Sequence, residues 1–514
     1  MKAPVVLYFT FILIIFLTFS VSSQTIRVDS AYGENGIISI PGIQDGFNSF
    51  PLLQDDGTLI ISGGLVSDSG YTQRFYKFKD SGELDSSFGV GGIMENYGLF
   101  HDYYMFFIKS QSDGRLIVGG ASNIDEKANI FRLNHDGSID NSFGNMGVFE
   151  VPIVFATEIT DAIILDNDDI IIGGGYFKSF DTDGFLIKLT KDGTQDQNFG
   201  SNGFVDFNFF KYSYVSKLHL TQENKIIVTG SGNIGNLDNF LVARFLEDGS
   251  LDSDFGDDGY TLINFEPGIS SLGFGSLLDN NQKIVIVGYT DHDFSKSAIV
   301  RLNSIGSIDS TFSDDGKIYF EIGLDYSYFR KIYQFTSNEY LVSGLSYFNK
   351  VNNLPNFDSF ILKLSETGTL DNSFYDSGFM VIENPAIYDD PIGLFYNDKV
   401  LYTNIRNTGF GNMKSSSIIK FLLDDPSSKN EIENSEFEAF PNPTNNYVII
   451  KSKNSNVSGN VVIEIYNLYG KIVYKNKFER QESIMIDFNN FPTGAYFIVK
   501  RSGKNKELTR IIKN

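Results

Sequence analysis

The sequence predicts an all-β protein: a seven-bladed β-propeller followed by a small β-sandwich of immunoglobulin-like type. Three observations carry the prediction. One motif returns at a nearly constant period along most of the chain, each period holds four short runs of strand-forming residues, and the composition changes sharply from residue 436 onward.

The motif is clearest in Leu133-Asn134-His135-Asp136-Gly137-Ser138-Ile139-Asp140-Asn141-Ser142-Phe143-Gly144-Asn145-Met146-Gly147. A cation in an apolar strand is followed by Gly, then Asp three residues later, Phe three further on, and usually Gly. The Asp recurs as Asp29, Asp85, Asp140, Asp196, Asp252, Asp309 and Asp371, in steps of 56, 55, 56, 56, 57 and 62 residues. A fixed period of this length means stacked or radial units. The cation recurs as Lys77, Arg132, Lys188, Arg244, Arg301, Lys363 and Lys420. The first Asp precedes the first cation and the last cation has no Asp after it, so the repeats begin and end in mid-motif. Taken from each Asp to the next cation, seven units fit. A propeller closes by bringing such ends together, whereas an open solenoid more often carries polar caps.

Taken in order, the chain opens with Lys2 and an apolar run from Val5 to Phe19 that leads into Val21-Ser22-Ser23. This reads as a signal peptide over residues 1–23, with cleavage before Gln24; the run is short for a membrane span. The repeat region, residues 24–424, follows. Its unit from Asp85 to Arg132 holds the runs Gly92–Glu95, Tyr104–Ile108, Leu116–Gly119 and Asn129–Arg132, separated by turn formers such as Ser112-Asp113-Gly114. The third run recurs as Leu59–Gly63, Ile170–Gly173, Ile226–Gly230 and Ile284–Gly288. Such continuous β-branched runs suit a strand buried on both faces. No helical periodicity competes with them.

The motif needs no ligand to explain it. Gly82, Gly137, Gly193, Gly249, Gly306 and Gly368 supply the positive φ of a turn, and Asp85, Asp140, Asp196, Asp252, Asp309 and Asp371 accept nearby backbone N–H groups. Phe88, Phe143, Phe199, Phe255, Phe312 and Phe374 pin the loop to the core, with Tyr32 in that place after Asp29. A ring rarely needs so many copies of one catalytic group, so recurrence itself argues for a structural role. These runs, best seen from Phe240 to Gly259, resemble the delta-60 repeat of bacterial surface and secreted proteins. The resemblance spans roughly residues 29–424 and implies a β-propeller without a defined activity. Ser313 and Tyr375 depart from it by replacing the Gly after Phe, and the last copy degenerates after Phe421.

Residues 425–436 are too hydrophilic for a core and read as a linker. Beyond it, residues 436–514 hold 12 Lys and Arg against 7 Asp and Glu, or +5, within a chain of net charge −23, leaving −28 for the rest. Such asymmetry marks separately built domains. The tail alternates as strands, for example Val461–Tyr466 and Ala495–Val499. Phe440-Pro441-Asn442-Pro443-Thr444, then Tyr466-Asn467-Leu468-Tyr469-Gly470-Lys471, then Pro492-Thr493-Gly494-Ala495-Tyr496, then Arg510-Ile511-Ile512-Lys513 resemble a type A sorting domain of the type IX secretion system, over residues 437–514. The resemblance singles out Pro441, Asn442, Pro443, Gly470, Gly494 and Tyr496. It implies a protein secreted or displayed at the outer cell surface through the periplasm, with the type IX machinery as partner.

Composition excludes several classes. The acidic balance argues against nucleic acid and anionic lipid, and the absence of Cys removes disulfide and thiolate metal sites. His101, His135, His219 and His292 fall in different units without ligand spacing and read as surface or turn residues. Gly173-Gly174-Gly175 lacks the Lys-Ser/Thr of a phosphate loop and reads as a strand end under close packing. Acidic turns at Asp181–Gly184, Asp257–Gly259 and Asp314–Gly316 offer oxygen to Ca²⁺ but lack the spacing of a calcium loop, so no cofactor is expected. The expected function is a binding module, not an enzyme, with a glycan or surface protein as partner. The alternative is a hydrolase or lyase of carbohydrate or another polymer, with carboxylates such as Asp291, Glu321 and Asp325 at the propeller axis. An asymmetric site is expected where one unit departs from the others. The 62-residue step contains Ser346–Phe357, read as a loop presenting Tyr347 and Phe348 with Asn352 beside them.

Overall fold

The computed structural model describes residues 26–513, apart from 35, 42, 46–50, 68–69, 96–102, 123–126, 154–156, 179–180, 211, 292–294, 321, 323–325, 352–353, 375–377, 383–387, 398–399, 409–413, 424–436, 441–443, 445, 453–460, 468–471, 480–482, 492–493 and 503–504. Every regular element among the described residues is a strand. Contacts divide the chain into a unit of Ser23–Leu423 and a second that holds Asp424–Asn514.

In the larger unit the strands pair as antiparallel meanders of four. Tyr103–Ser110 pairs with Leu116–Ser122, then Ala128–Leu133, then Val148–Glu150. The order repeats through Thr157–Ile164, Ile170–Lys178, Asp181–Leu189 and Phe204–Phe207, and through Tyr212–Leu220, Ile226–Ile234, Leu237–Phe245 and Tyr260–Ile263. It repeats again through Ser270–Leu278, Ile284–Asp291, Ser295–Leu302 and Lys317–Phe320, and through Ser327–Thr336, Glu339–Val351, Leu354–Ser365 and Phe379–Ile382. Ahead of these stand Leu52–Leu53, Leu59–Ser67, Gly70–Phe78 and Ile93–Glu95. At the end, Tyr388–Asn397, Val400–Thr408 and Lys414–Leu423 pair in turn, and the fourth place goes to Ile37–Pro41 from the start of the chain. Ile26–Val28 extends that edge. The two ends of the repeat region therefore share one sheet.

Sheet and sequence repeat are out of phase by one strand, which corrects the unit read from Asp to cation. Ile93–Glu95, inside the unit that begins at Asp85, pairs backward with Gly70–Phe78. The turn is the cause: Asp85 N–H donates to the Lys77 carbonyl (2.8 Å), Phe88 N–H to Asp85 (3.0 Å) and Gly92 N–H to Phe88 (2.9 Å). These bonds reverse the chain, so the short run after the motif returns along the strand just completed.

Second strands are buried on both faces, as their β-branched runs require. Side chains alternate across a strand, and here the alternation divides one strand between two cores. Ile284 and Ile286 pack with Ile227 and Val242 of the preceding sheet, whereas Val285 and Val287 pack with Val342 and Leu362 of the following one. Each such strand joins neighbouring sheets.

First strands carry a one-residue irregularity at a recurrent position, between Met105 and Phe107, Ile159 and Asp161, Val215 and Lys217, Gly273 and Gly275, and Phe329 and Lys331. A bulge pushes its backbone against the neighbouring strand. A Cβ on Gly230 or Gly288 would lie 1.8 Å from the carbonyl oxygen of Tyr214 or Leu272, and one on Gly174 2.1 Å from that of Glu158. Close packing at Gly173–Gly175 is therefore real, but it falls in the middle of a strand rather than at its end.

The 62-residue step does not produce a loop. Glu339–Val351 and Leu354–Ser365 stay paired out to Val351↔Leu354, with a one-residue shift between Tyr347 and Asn349, so the extra residues extend a hairpin. In the smaller unit, Phe437–Phe440, Tyr447–Ser452 and Ser483–Asp487 form one sheet. Val461–Asn467, Ile472–Phe478, Gly494–Ser502 and Asn505–Lys513 form another. Val448, Ile450 and Ile486 of the first sheet share a core with Ile463, Ile465 and Ile498 of the second.

Candidate functional site

The recurrent residues assemble into clasps between successive repeats. Arg132 is fully buried; its Nε donates to Asp140 (2.7 Å), one terminal nitrogen to Ser142 Oγ (2.9 Å), and the other to the Lys191 carbonyl in the next turn (2.7 Å). Its guanidinium lies 5.0 Å from the centroid of Phe143. Arg244 joins Asp252 (2.7 Å) to the Ser304 carbonyl (2.6 Å) in the same way, and Arg301 joins Asp309 (2.8 Å) to the Glu366 carbonyl. Lysines make the simpler pairs Lys77–Asp85 (3.5 Å), Lys188–Asp196 (3.2 Å) and Lys363–Asp371 (3.1 Å). At the junction of the chain ends, Lys420 reaches Asp29 (3.6 Å) and Asp80 (2.7 Å).

A backbone bond completes each clasp: Gly144 N–H donates to Asp192 (2.8 Å), Gly200 to Asp248 (2.7 Å) and Gly256 to Ile305 (2.8 Å). The turn glycine has a further role that spacing did not reveal, because the Phe of the preceding repeat lies on it. A Cβ on Gly193 would sit 2.8 Å from the Phe143 ring, at a φ of +80°. Burial pushes the Asp140 carboxyl upward, but hydrogen bonds from Ser142 and Arg115 and the charge of Arg132 outweigh it and hold the group well below the usual carboxylate range. These carboxylates are permanent acceptors of structural bonds.

Other expected site residues scatter. Tyr347 is only 5% exposed, so it belongs to the core and offers no open aromatic face. The Phe348 side chain and Asn352 lie outside the described residues, as do Pro441, Asn442, Pro443 and Gly470. Gly494 begins a strand of the smaller unit, and Tyr496 is buried there edge-on to Phe488 (5.7 Å) and Phe491 (5.3 Å). Asp181 to Gly184 belong to a strand, not an acidic turn. Asp291 ends the strand Ile284–Asp291, and Glu321 and Asp325 lie outside the described residues. Among the described residues no group of three His, Cys, Asp or Glu is placed to hold a metal ion.

The structure instead brings unrepeated polar residues together where the first strands converge. A cavity of about 490 Å³ is lined by Leu52, Lys109, Ile163, His219 and Leu278, contributed by the first strands of five successive sheets. Behind Lys109, Asp161, 2% exposed, forms ion pairs through Oδ1 with Lys109 Nζ (2.9 Å) and Lys217 Nζ (3.4 Å), and accepts the Leu218 N–H (3.2 Å) on Oδ2. Burial pushes the Asp161 carboxyl up, yet the two ammonium charges prevail and keep it ionised. His219 is not a surface histidine. Its Nε2 lies 2.7 Å from Ser276 Oγ, which is 2.6 Å from Thr229 Oγ1, and burial pulls the imidazole down to about 4, leaving it neutral. Toward the other end of these strands aromatic rings gather, with Phe274 5.5 Å from Tyr289 and 6.0 Å from Tyr328. The Arg330 guanidinium lies over Phe274 (4.7 Å) and Tyr328 (4.8 Å). Asp161 and Lys217 hold the same position after the bulge in successive repeats but with opposite charge, so the repeat motif gave no sign of the site, and the bulges shift the alternation that would have shown which way these residues face.

Residues 438–514 match the family described as secretion system C-terminal sorting domain. Residues 111–143, 223–255 and 281–312 match the family described as domain of unknown function (DUF5122) beta-propeller. The chain thus carries a type IX secretion sorting domain behind β-propeller repeats. No curated protein matches its sequence. Among solved structures it is similar to the polysaccharide lyase Uly1 at 10% identity and a TM-score of 0.46, covering 77% of this chain and 92% of that one. It is similar to Drosophila Semaphorin 2a at 9% identity and a TM-score of 0.46, covering 95% and 98%. It is also similar to a protein of unknown function from Dyadobacter fermentans DSM 18053 at 8% identity and a TM-score of 0.36, covering 76% and 100%.

Proposed function

We propose that this protein is a secreted or cell-surface binding module. Residues 24–424 close as a seven-bladed β-propeller, residues 437–514 form an immunoglobulin-like domain that engages the type IX machinery, and a ligand is held where the first strands converge. The match of residues 438–514 to the sorting domain carries the export reading. In that reading the N-terminal apolar run takes the chain across the inner membrane and the tail directs it through the outer one.

Closure is supported by the N-terminal strand Ile37–Pro41, which completes the sheet of Lys414–Leu423. The binding reading draws on Asp161. Proton transfer needs a carboxyl whose pKa lies near the working pH, whereas two lysines fix this one in its ionised form. A hydrolase that relies on a protonated carboxyl as general acid would have to find that group elsewhere. Deleting Phe437 to Asn514 tests the export reading: the folded propeller should accumulate in the periplasm, and normal appearance outside the cell would refute it.

A further inference from the structure

We infer that the cavity at the convergence of the first strands takes an acidic ligand, a saccharide bearing a carboxylate or a sulfate, whose oxyanion is met by Lys109, the cation that lines it. This rests on the binding-module reading and names its ligand class.

The charges around the cavity do not cancel locally. Lys109 and Lys217 share one oxygen of one carboxylate. Two ammonium groups are paired with this single carboxylate, so one positive charge remains. Position assigns it a direction: the Lys109 side chain lines the cavity and is 33% exposed, whereas Asp161 behind it is 2% exposed. The other acid at the cavity, Asp279, is also 2% exposed and has its oxygens occupied. They accept the N–H groups of Asn281 (2.9 Å) and Lys283 (2.8 Å) and the Tyr340 hydroxyl (2.8 Å). Tyr340 in turn accepts from Arg301 (3.4 Å), which together with Lys283 (3.0 Å) also pairs Asp309 (2.8 Å), so these two cations balance Asp279 and Asp309. His219 stays neutral and adds no charge at neutral pH.

An oxyanion leaving water for a half-enclosed site must find a paired charge there, and the surplus ammonium supplies it. Leu52, Ile163 and Leu278 give the apolar wall on which the body of a sugar ring can lie, while Gln222 offers an amide. The volume, about 490 Å³, lies within the range of small-molecule pockets, about 300 to 1,000 Å³.

Isothermal titration of the purified full-length protein would decide it, using a uronate disaccharide, a sulfated disaccharide, a neutral disaccharide of equal size and inorganic sulfate. At least one acidic disaccharide should bind tenfold or more tightly than the neutral one, and whichever binds identifies the anion. Lys109→Gln, which leaves the Lys217–Asp161 pair, should weaken that binding tenfold or more, and Lys127→Gln, paired with Glu150 away from the cavity, should not. Equal binding of acidic and neutral disaccharides, both abolished by the cavity-filling Leu278→Trp, would overturn the ligand class and leave the binding module standing. Binding of inorganic sulfate alone, or no effect of Lys109→Gln, would overturn it too. Failure of every probe would count against both readings. The comparison of acidic and neutral sugars needs no variant, so it holds even if Lys109→Gln folds poorly.

Discussion

Replacing Asp140 by Ala isolates the energetic worth of one clasp. The carboxylate accepts from Arg132 Nε (2.7 Å), Arg115 (2.7 Å), Ser142 N–H (3.0 Å) and Ser142 Oγ (2.6 Å). Without it Arg132 keeps the Lys191 carbonyl, Ser142 and the exposed Asp192 carboxylate (3.4 Å) but loses its buried counter-charge. Removing one partner of a buried pair costs about 3–5 kcal/mol, and the bonds that Arg132 retains place Asp140→Ala near the lower end, about 3 kcal/mol. The sign with pH follows from the depressed carboxyl. Its stabilisation is complete above the unfolded value, about 3.9, and is lost as pH falls through the folded one, so the gap between native protein and variant should be narrower at pH 3 than at pH 7. Urea unfolding at both pH values measures this. Asp136→Ala, in the same turn but fully exposed, is the control and should cost less. Equal losses for the two variants, or a gap that widens at pH 3, would refute the clasp.

Gly193→Ala should destabilise the propeller by roughly 2–4 kcal/mol, because a left-handed backbone and contact with the Phe143 ring act together; a stability within about 0.5 kcal/mol of the native protein would show that the ring simply moves aside. His219 has a folded value near 4 against 6.5 unfolded, so the unfolded chain binds the extra proton between those values. Stability should therefore fall as pH drops from 6.5 to 4, by at most about 3 kcal/mol. Urea midpoints of His219→Gln across that interval should show the fall flattened; an unchanged slope would exclude His219 as its source.

Much of the fold was legible because repetition amplifies weak local signals. A single run such as Ile284 to Gly288 is ambiguous between buried strand and buried helix, but its return in successive units, always after a turn and before a cation, leaves only a strand. The Gly-Asp-Phe spacing identified the turn, its positive φ and its structural role, and the charge change near residue 436 separated the tail. The linear sequence could not say which strand a short run would join. Ile93–Glu95 pairs backward because the motif's backbone bonds reverse the chain, and Ile37–Pro41 pairs with a strand nearly four hundred residues later, a partner that no local signal names. The insertion misled the sequence reading for a related reason: hairpin register, unlike loop length, depends on cross-strand bonds, and these bury Tyr347. Lys109, Asp161, Lys217 and His219 stand in three separate repeats, and although Asp161 and Lys217 lie one 56-residue period apart, the residue type at that position changes from acid to base, so no motif marks it. Only the convergence of their strands brings two ammonium groups onto one carboxylate, since side-chain direction past a bulge is set by the neighbouring strand and not by the alternation of the sequence.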